Sequence, residues 1–221
     1  MMRKLILMLL GAALALTSGC HLGNFGKGIK GSGNRKTEKR ELQPFKAIDT
    51  TGAYEVEVGC QKPASFEIEA DDNILPLIRT DVRDGVLYVT NQEHYNSQKS
   101  VRLRITLPEL VSVSSRGAGD MTVHDANKDL KIESTGAASI KIDGKVTSAT
   151  ISSTGAGDID ASRLMAETAR VTVTGAASVN VYASEQLDVS VAGVGSVNYS
   201  GDPKTVDKSV SGIGSVNKKE E

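Results

Sequence analysis

The chain contains no tryptophan, only 4% aromatic residues and 2 cysteines in 221 residues. It therefore lacks the rings for a wide aromatic core and the thiols for a disulfide framework. An excess of one charge is missing too, with 26 basic residues against 27 acidic. No basic face interleaved with aromatics stands out, which argues against nucleic acid as a partner. Nowhere do roughly ten to fifteen residues keep the 3.6-residue period that a crossover helix needs. Beyond the N-terminal leader, no run is apolar enough to span a bilayer as a helix.

Glycine is abundant, with 22 residues, and it is placed periodically. Between Ser115 and Asn217 one phrase recurs as RGAGDMTV, TGAASIKI, TGAGDIDA, TGAASVNV, AGVGSVNY and SGIGSVNK. Its first glycines are Gly117, Gly136, Gly155, Gly175, Gly193 and Gly212, in steps of 19, 19, 20, 18 and 19. A fixed period of this size marks a stack of coils. Within a period, Leu130, Ile132, Ile140 and Ile142 alternate with Lys131, Ser139 and Lys141, which is the two-residue period of strands with one face in and one face out. Val146, Leu164 or Leu187 falls in the connection and would close the remaining side. The expected fold is all-β: a parallel β-helix with coils of about 19 residues, stacked ~4.8 Å apart, behind an irregular N-terminal β cap. The glycine suits a corner that needs positive φ or close approach of the next coil. Ala118, Ala137, Ala156 and Ala176 read as small residues required by that corner, and Asp120, Ser139, Asp158, Ser178, Ser196 and Ser215 as turn residues bonding nearby N–H groups.

The N-terminus carries an address. Arg3 and Lys4 precede the apolar run Leu5 to Leu16, then Thr17, Ser18, Gly19 and Cys20. That is a charged n-region, a short h-region and a small-residue cleavage site. The cysteine after it resembles the lipidated first residue of a bacterial lipoprotein, although Thr17 departs from the usual leucine. The expected organisation is a signal peptide over 1–19, lipidated Cys20 with a flexible Gly-rich tether to residue 41, one β-helix domain over 42–217, and a charged tail over 218–221. Within the domain, 42–113 hold the N-terminal coils and cap, and 114–217 the regular repeats. Loss of the leader leaves 24 basic against 27 acidic residues, a net of −3. Cys60 in VGCQKP is expected to be an exposed, passive turn thiol, since catalysis would need a base and only His94 and His124 remain beyond the tether. In the cap region TGAYEVEV reads as a degenerate first copy of the repeat with Gly52 at its corner, DNILPLI as one helical turn broken by Pro76, and RTDVRDGVLYVT as a hairpin around Asp84 and Gly85.

Taken together, GSGN at Gly31 to Asn34, FKAI at Phe45 to Ile48 followed by TGAYEVEV, ADDNILPLI with DGVLYV, and the closing GVGSVNYSGDP with SVSGIGSV resemble the autotransporter-adhesin head family called the GIN domain. The motifs span nearly the whole chain after the leader. The resemblance implies a right-handed β-helix and an envelope location, as in lipoproteins of Bacteroidetes. It implies no reaction, cofactor or catalytic residue.

Three functional readings follow. The first is a non-enzymatic, lipid-anchored envelope module that binds or scaffolds a protein or glycan partner, outer-membrane attached, or that serves a structural or envelope-stress role. A binding face would be marked by stacked aromatics, and in the repeats only Tyr182 and Tyr199 stand near each other. The second is a polysaccharide-active enzyme using corner carboxylates: Asp120 and Asp158 occupy equivalent positions two coils apart, ~9.6 Å, at the edge of the spacing of an inverting pair. The third is calcium binding through Asp158 and Asp160, weakened by serine at the Asp position in four of the six copies. No metal or cofactor is expected. The last copy would leave a strand edge with Val210, Ile213 and Val216 uncovered, so self-association through the C-terminal coil is a further expectation.

Overall fold

The computed structural model describes residues 28–219. The expected signal peptide, the expected lipid site at Cys20, the first part of the expected tether and the last two residues of the expected tail lie outside the described residues. The strands are β1 (Ile29–Lys30), β2 (Arg35–Lys39), β3 (Ala47–Gly52), β4 (Tyr54–Gly59), β5 (Ser65–Asp71), β6 (Ile78–Arg83), β7 (Val86–Asn91), β8 (Tyr95–Asn96) and β9 (Val101–Thr106). The repeats supply β10 (Ser112–Ala126), β11 (Leu130–Gly155), β12 (Asp158–Gly175), β13 (Ser178–Tyr182), β14 (Gln186–Gly193), β15 (Ser196–Ser200), β16 (Thr205–Gly212) and β17 (Ser215–Lys218). Among the described residues there is no α-helix, and no helix long and apolar enough to cross a membrane.

The strands stack as a parallel β-solenoid. Residues before each corner glycine form a first face in the order β6, β7, β3, β10, β11, β12, β14, β16. Residues after it form a second face in the order β2, β5, β9, β4, β10, β11, β12, β13, β15, β17. Period-two alternation sends one apolar column through the second face: Ile68, Leu103, Val56, Met121, Ile140, Ile159, Val179, Val197 and Val216 lie in register. Val146 and Leu164 are buried on the third side, whereas Leu187, expected there too, lies on the first face in β14, in register with Ala169 and Val206. The core is thus a narrow prism of aliphatic layers, as a chain poor in rings requires.

The corner glycines do two things at once. Gly52 pairs with Gly117, Gly117 with Gly136, Gly155 with Gly175, Gly175 with Gly193 and Gly193 with Gly212. Gly155 has φ +127, and a Cβ there would overlap the carbonyl oxygen of Gly136 one coil earlier. The alanines that follow are a different matter. Ala118, Ala137, Ala156 and Ala176 point outward, and the same position holds Val194, 59% exposed, and Ile213, 87% exposed. The corner therefore does not demand a small residue there; only the glycine is confined.

At the N-terminal end the parallel progression is stopped by chain reversal. On the first face β6 is antiparallel to β7, through a turn with Asp84 at φ 51 and Gly85 at φ 74, the two positive angles of a tight Asp-Gly hairpin. On the second face β5 is antiparallel to β9, and β2 to β5. Part of the expected tether is therefore structure: residues 35–39 are an edge strand, and Leu42 and Phe45 pack on the core. The reason is that a solenoid's first layer needs a lid, and this segment supplies it. Arg40 fastens it to the 3-10 turn at Leu75–Leu77, donating to the carbonyls of Leu75 at 3.2 Å and Ile78 at 2.7 Å.

Two substitutions probe this packing. Gly155→Val should destabilise by roughly 2 to 4 kcal/mol through φ strain and overlap with the neighbouring coil, while Lys145→Val on the exposed third side should cost under about 0.5 kcal/mol; equal shifts in the denaturation midpoint would refute the corner. The hydroxyl of Ser134 is buried with no hydrogen-bond partner, in register with inward Ser115. Ser134→Ala should raise stability by about 1 kcal/mol, read from urea unfolding, because it removes a polar group desolvated on folding.

Candidate functional site

Coil register decides which polar residues meet. On the outer second face Asp120, Ser139, Asp158 and Ser178 form one row, one residue per coil. Asp120 and Asp158 are thus two strand spacings apart, ~9.6 Å, with Ser139 between them; both are exposed. The neighbouring Asp160 is occupied locally, accepting from the Ser162 N–H at 3.1 Å and hydroxyl at 2.6 Å. Partial burial opposes its ionisation, but these bonds hold its carboxyl below the ordinary range. Among the described residues no group of three or more His, Cys, Asp or Glu gathers as metal ligands.

Beyond the next outward row, Thr122, Lys141, Asp160 and Asn180, where the register shifts, stands a pair that the residue pattern did not flag. His124 Nδ1 lies 2.8 Å from Asp143 Oδ2, whose other oxygen accepts from the Asp125 N–H at 2.9 Å. The two residues are one coil apart in sequence, which is the signal that could have found them. Partial burial works against the Asp143 carboxylate, but the Asp125 N–H, His124 and Arg163 outweigh it and lower its pKa.

Cys60 corrects an expectation. Its side chain is wholly buried in the core, not exposed at a turn. Its backbone N–H bonds the His124 carbonyl at 3.0 Å, yet the His124 ring turns outward to Asp143. Burial first, then the negative charges of Asp125 and Asp143, push the thiol up to about 11. Sequence hid this because VGCQKP reads as a turn, while Cys60 follows inward Val58 by two residues and keeps its face. His94 lies elsewhere, its carbonyl taking the Ile29 N–H where β1 pairs with β8. The aromatic pair does not form either: Tyr199 is buried inside the last coils, whereas Tyr182 faces out.

The N-terminal strap is held by a clasp joining two of the sequence motifs. Ser32 of GSGN donates its N–H to Asn73 Oδ1 at 2.9 Å and its hydroxyl to Asp72 at 2.6 Å. Gly33 N–H reaches buried Asp71 at 3.2 Å, Asn34 donates to Asp72 at 2.8 Å, and Asn73 returns a bond to the Lys30 carbonyl at 2.8 Å. A cleft of about 970 Å³ opens beside the clasp, lined by Lys30, Ser32, Asp71, His94 and Tyr95. On the outer face of the cap, Glu55, Arg102, Glu69, Arg104 and Glu67 interlock across β4, β9 and β5, with pairs at 3.0 Å and 2.8 Å. A second cleft, about 730 Å³, is mainly apolar, with Phe45, Ala64, Val86, Pro108 and Val111 in its walls.

A family model described as "Putative auto-transporter adhesin, head GIN domain" matches residues 44–203. Among solved structures, a "putative adhesin" from Bacteroides fragilis is 23% identical with a TM-score of 0.71, over 87% of this chain and 100% of that one. A "putative lipid binding protein" from Parabacteroides distasonis is 21% identical with a TM-score of 0.54, over 88% and 100%. A "putative adhesin" from Parabacteroides merdae is 19% identical with a TM-score of 0.55, over 87% and 99%. At these identities the likeness is one of fold. No curated protein shows significant similarity to the chain.

Two outcomes follow from these placements. Cys60 should stay unmodified by a thiol-reactive dye at pH 8 until denaturant opens the core; rapid labelling of the native protein would contradict its burial. Because the folded pKa of Asp143 is lowered, its contribution is present above the unfolded value, about 3.9, and is lost as pH falls through the lower folded value. Asp143→Asn should flatten that acid limb of the stability curve.

Proposed function

The chain belongs to the head GIN domain family, and from that premise we propose a non-enzymatic binding module displayed at the cell envelope and held there by lipid on Cys20. The observation that carries this reading is the inequality of the two ends. The end where the chain arrives is covered by the strap and its clasp, while among the described residues nothing covers the far end or the outer faces. With the strap docked from residue 28, the leash shrinks to residues 20–27, which reach at most ~28 Å. The second face stacks ten strands from β2 to β17, which places the far end ~43 Å from the covered one. A rigid post of this kind presents its open end away from the membrane.

The carboxylates support the same reading. Asp120 and Asp158 sit exposed with a serine between them, and Asp160 is tied to Ser162, so acid, base and nucleophile roles find no converging partners. A second reading rests on the apolar cleft at Phe45, Ala64, Val86, Pro108 and Val111, which could house an acyl chain; the relative described as lipid binding shares the fold. Val111→Asp should then abolish uptake of a fluorescent fatty acid.

The main reading is tested with cells. Cys20→Ala should move the protein out of the membrane fraction and reduce adhesion of cells to glycan- or protein-coated surfaces. Unchanged fractionation would sink the anchor. New reducing ends released from polysaccharide, and lost in Asp158→Asn, would replace binding with catalysis.

A further inference from the structure

The far end of the solenoid carries two unused strand edges. Among the described residues β16 pairs only with β14, and β17 only with β15. Three large apolar side chains are exposed over the last two coils: Val194, Val210 at 44% and Ile213 at 87%. An edge of this kind invites another strand.

The last layer is not a plain continuation of the core. In the column Val171, Val189, Lys208, a lysine stands where earlier coils put valine. In the column Val181, Tyr199, Lys218, another follows the tyrosine. Lys208 lies over the Tyr199 ring, 4.8 Å from its centroid, and its ammonium donates to the Tyr199 hydroxyl at 3.5 Å. Its stem shields the penultimate layer while its charge stays at the rim.

Strand parity then discriminates between partners. An antiparallel neighbour must set inward residues against inward residues, here Val206, Lys208 and Val210. A second copy of the chain has two parity-matched registers, each overlapping all but one residue of the 8-residue β16. Centred on Lys208, the pairing opposes two lysines; centred on Ser209, it sets each Lys208 against Val210, with no carboxylate on the inward face of either strand. Head-to-tail stacking would have to add onto β2, an edge strand of charged sequence RKTEK, or onto β6, whose Ile78 carbonyl already accepts from Arg40, and both discourage it. A foreign strand is under no such restriction: an acidic residue opposite Lys208, with apolar residues two positions to either side facing Val206 and Val210, matches both the charge and the pleat.

We infer that the far end of the solenoid is a β-augmentation site for an extended acidic segment of another protein, with Lys208 admitting that segment and refusing a second copy of the chain. This rests on the reading of the domain as a binding module, and it replaces self-association as the use of the open coil. Specificity here is built from a repulsive element as much as an attractive one.

The test uses the full chain in detergent and two short labelled peptides of alternating valine and threonine, one with a central glutamate and one with a central lysine. By fluorescence anisotropy the glutamate peptide should bind at least about tenfold tighter than the lysine peptide. In Lys208→Glu the order should reverse. In Lys208→Val the preference should vanish and the chain should dimerise in sedimentation, where wild type stays monomeric. Equal affinity of both peptides for wild type, binding of neither, or wild-type dimers as strong as those of Lys208→Val would each overturn the inference. Cys20→Ala should leave all these readouts unmoved, so failure of the anchor and failure of the edge remain distinguishable.

Discussion

The structure depends on one close approach. At each corner the chain passes over the preceding coil with backbone against backbone, and nothing larger than a hydrogen fits at that point. This contact locks the phase between coils, since a slip by one residue would put a Cβ into a carbonyl and turn every inward side chain outward. The aliphatic columns, the outward row of Asp120, the pairing of His124 with Asp143, and the separation of Asp120 from Asp158 all inherit their geometry from it. With layers of Val, Ile, Leu and Ala and no tryptophan, side-chain shape alone would specify register weakly.

The two ends solve opposite problems. At the start, three antiparallel pairings reverse the chain and a lid of Leu42 and Phe45 covers the first layer. At the finish, the layer is crowned by Lys208 and Lys218 in place of Val and Tyr. One end is sealed by folding more chain over it; the other is made selective by charge.

The coils were legible because their determinants are local and repeated: glycine spacing and two-residue alternation are visible within any twenty-residue window. Even the hairpin at Asp84 and Gly85 is a local signal. What escaped was non-local. GSGN reads as linker until Asp71, Asp72 and Asn73 are brought to it, and those residues lie roughly forty positions away with no period connecting them. Cys60 was misplaced because flanking Gly59 and Pro63 suggest a turn, whereas the pleat carries its side chain inward. His124 and Asp143 were within reach, one coil apart, had outward polar residues been paired by the same period used for the apolar ones.

The pairing table also fixes an order of events during folding. Each repeat after β10 needs only the coil before it, a contact about one period away in sequence, so these coils can be added one at a time as chain becomes available. The cap cannot. β2 waits for β5, β4 is not flanked until β9 and β10 exist, and β3 needs β7 and β10. The segment that emerges first is therefore finished only once residues up to 126 are present, and from then on it serves as the template on which the remaining coils zip.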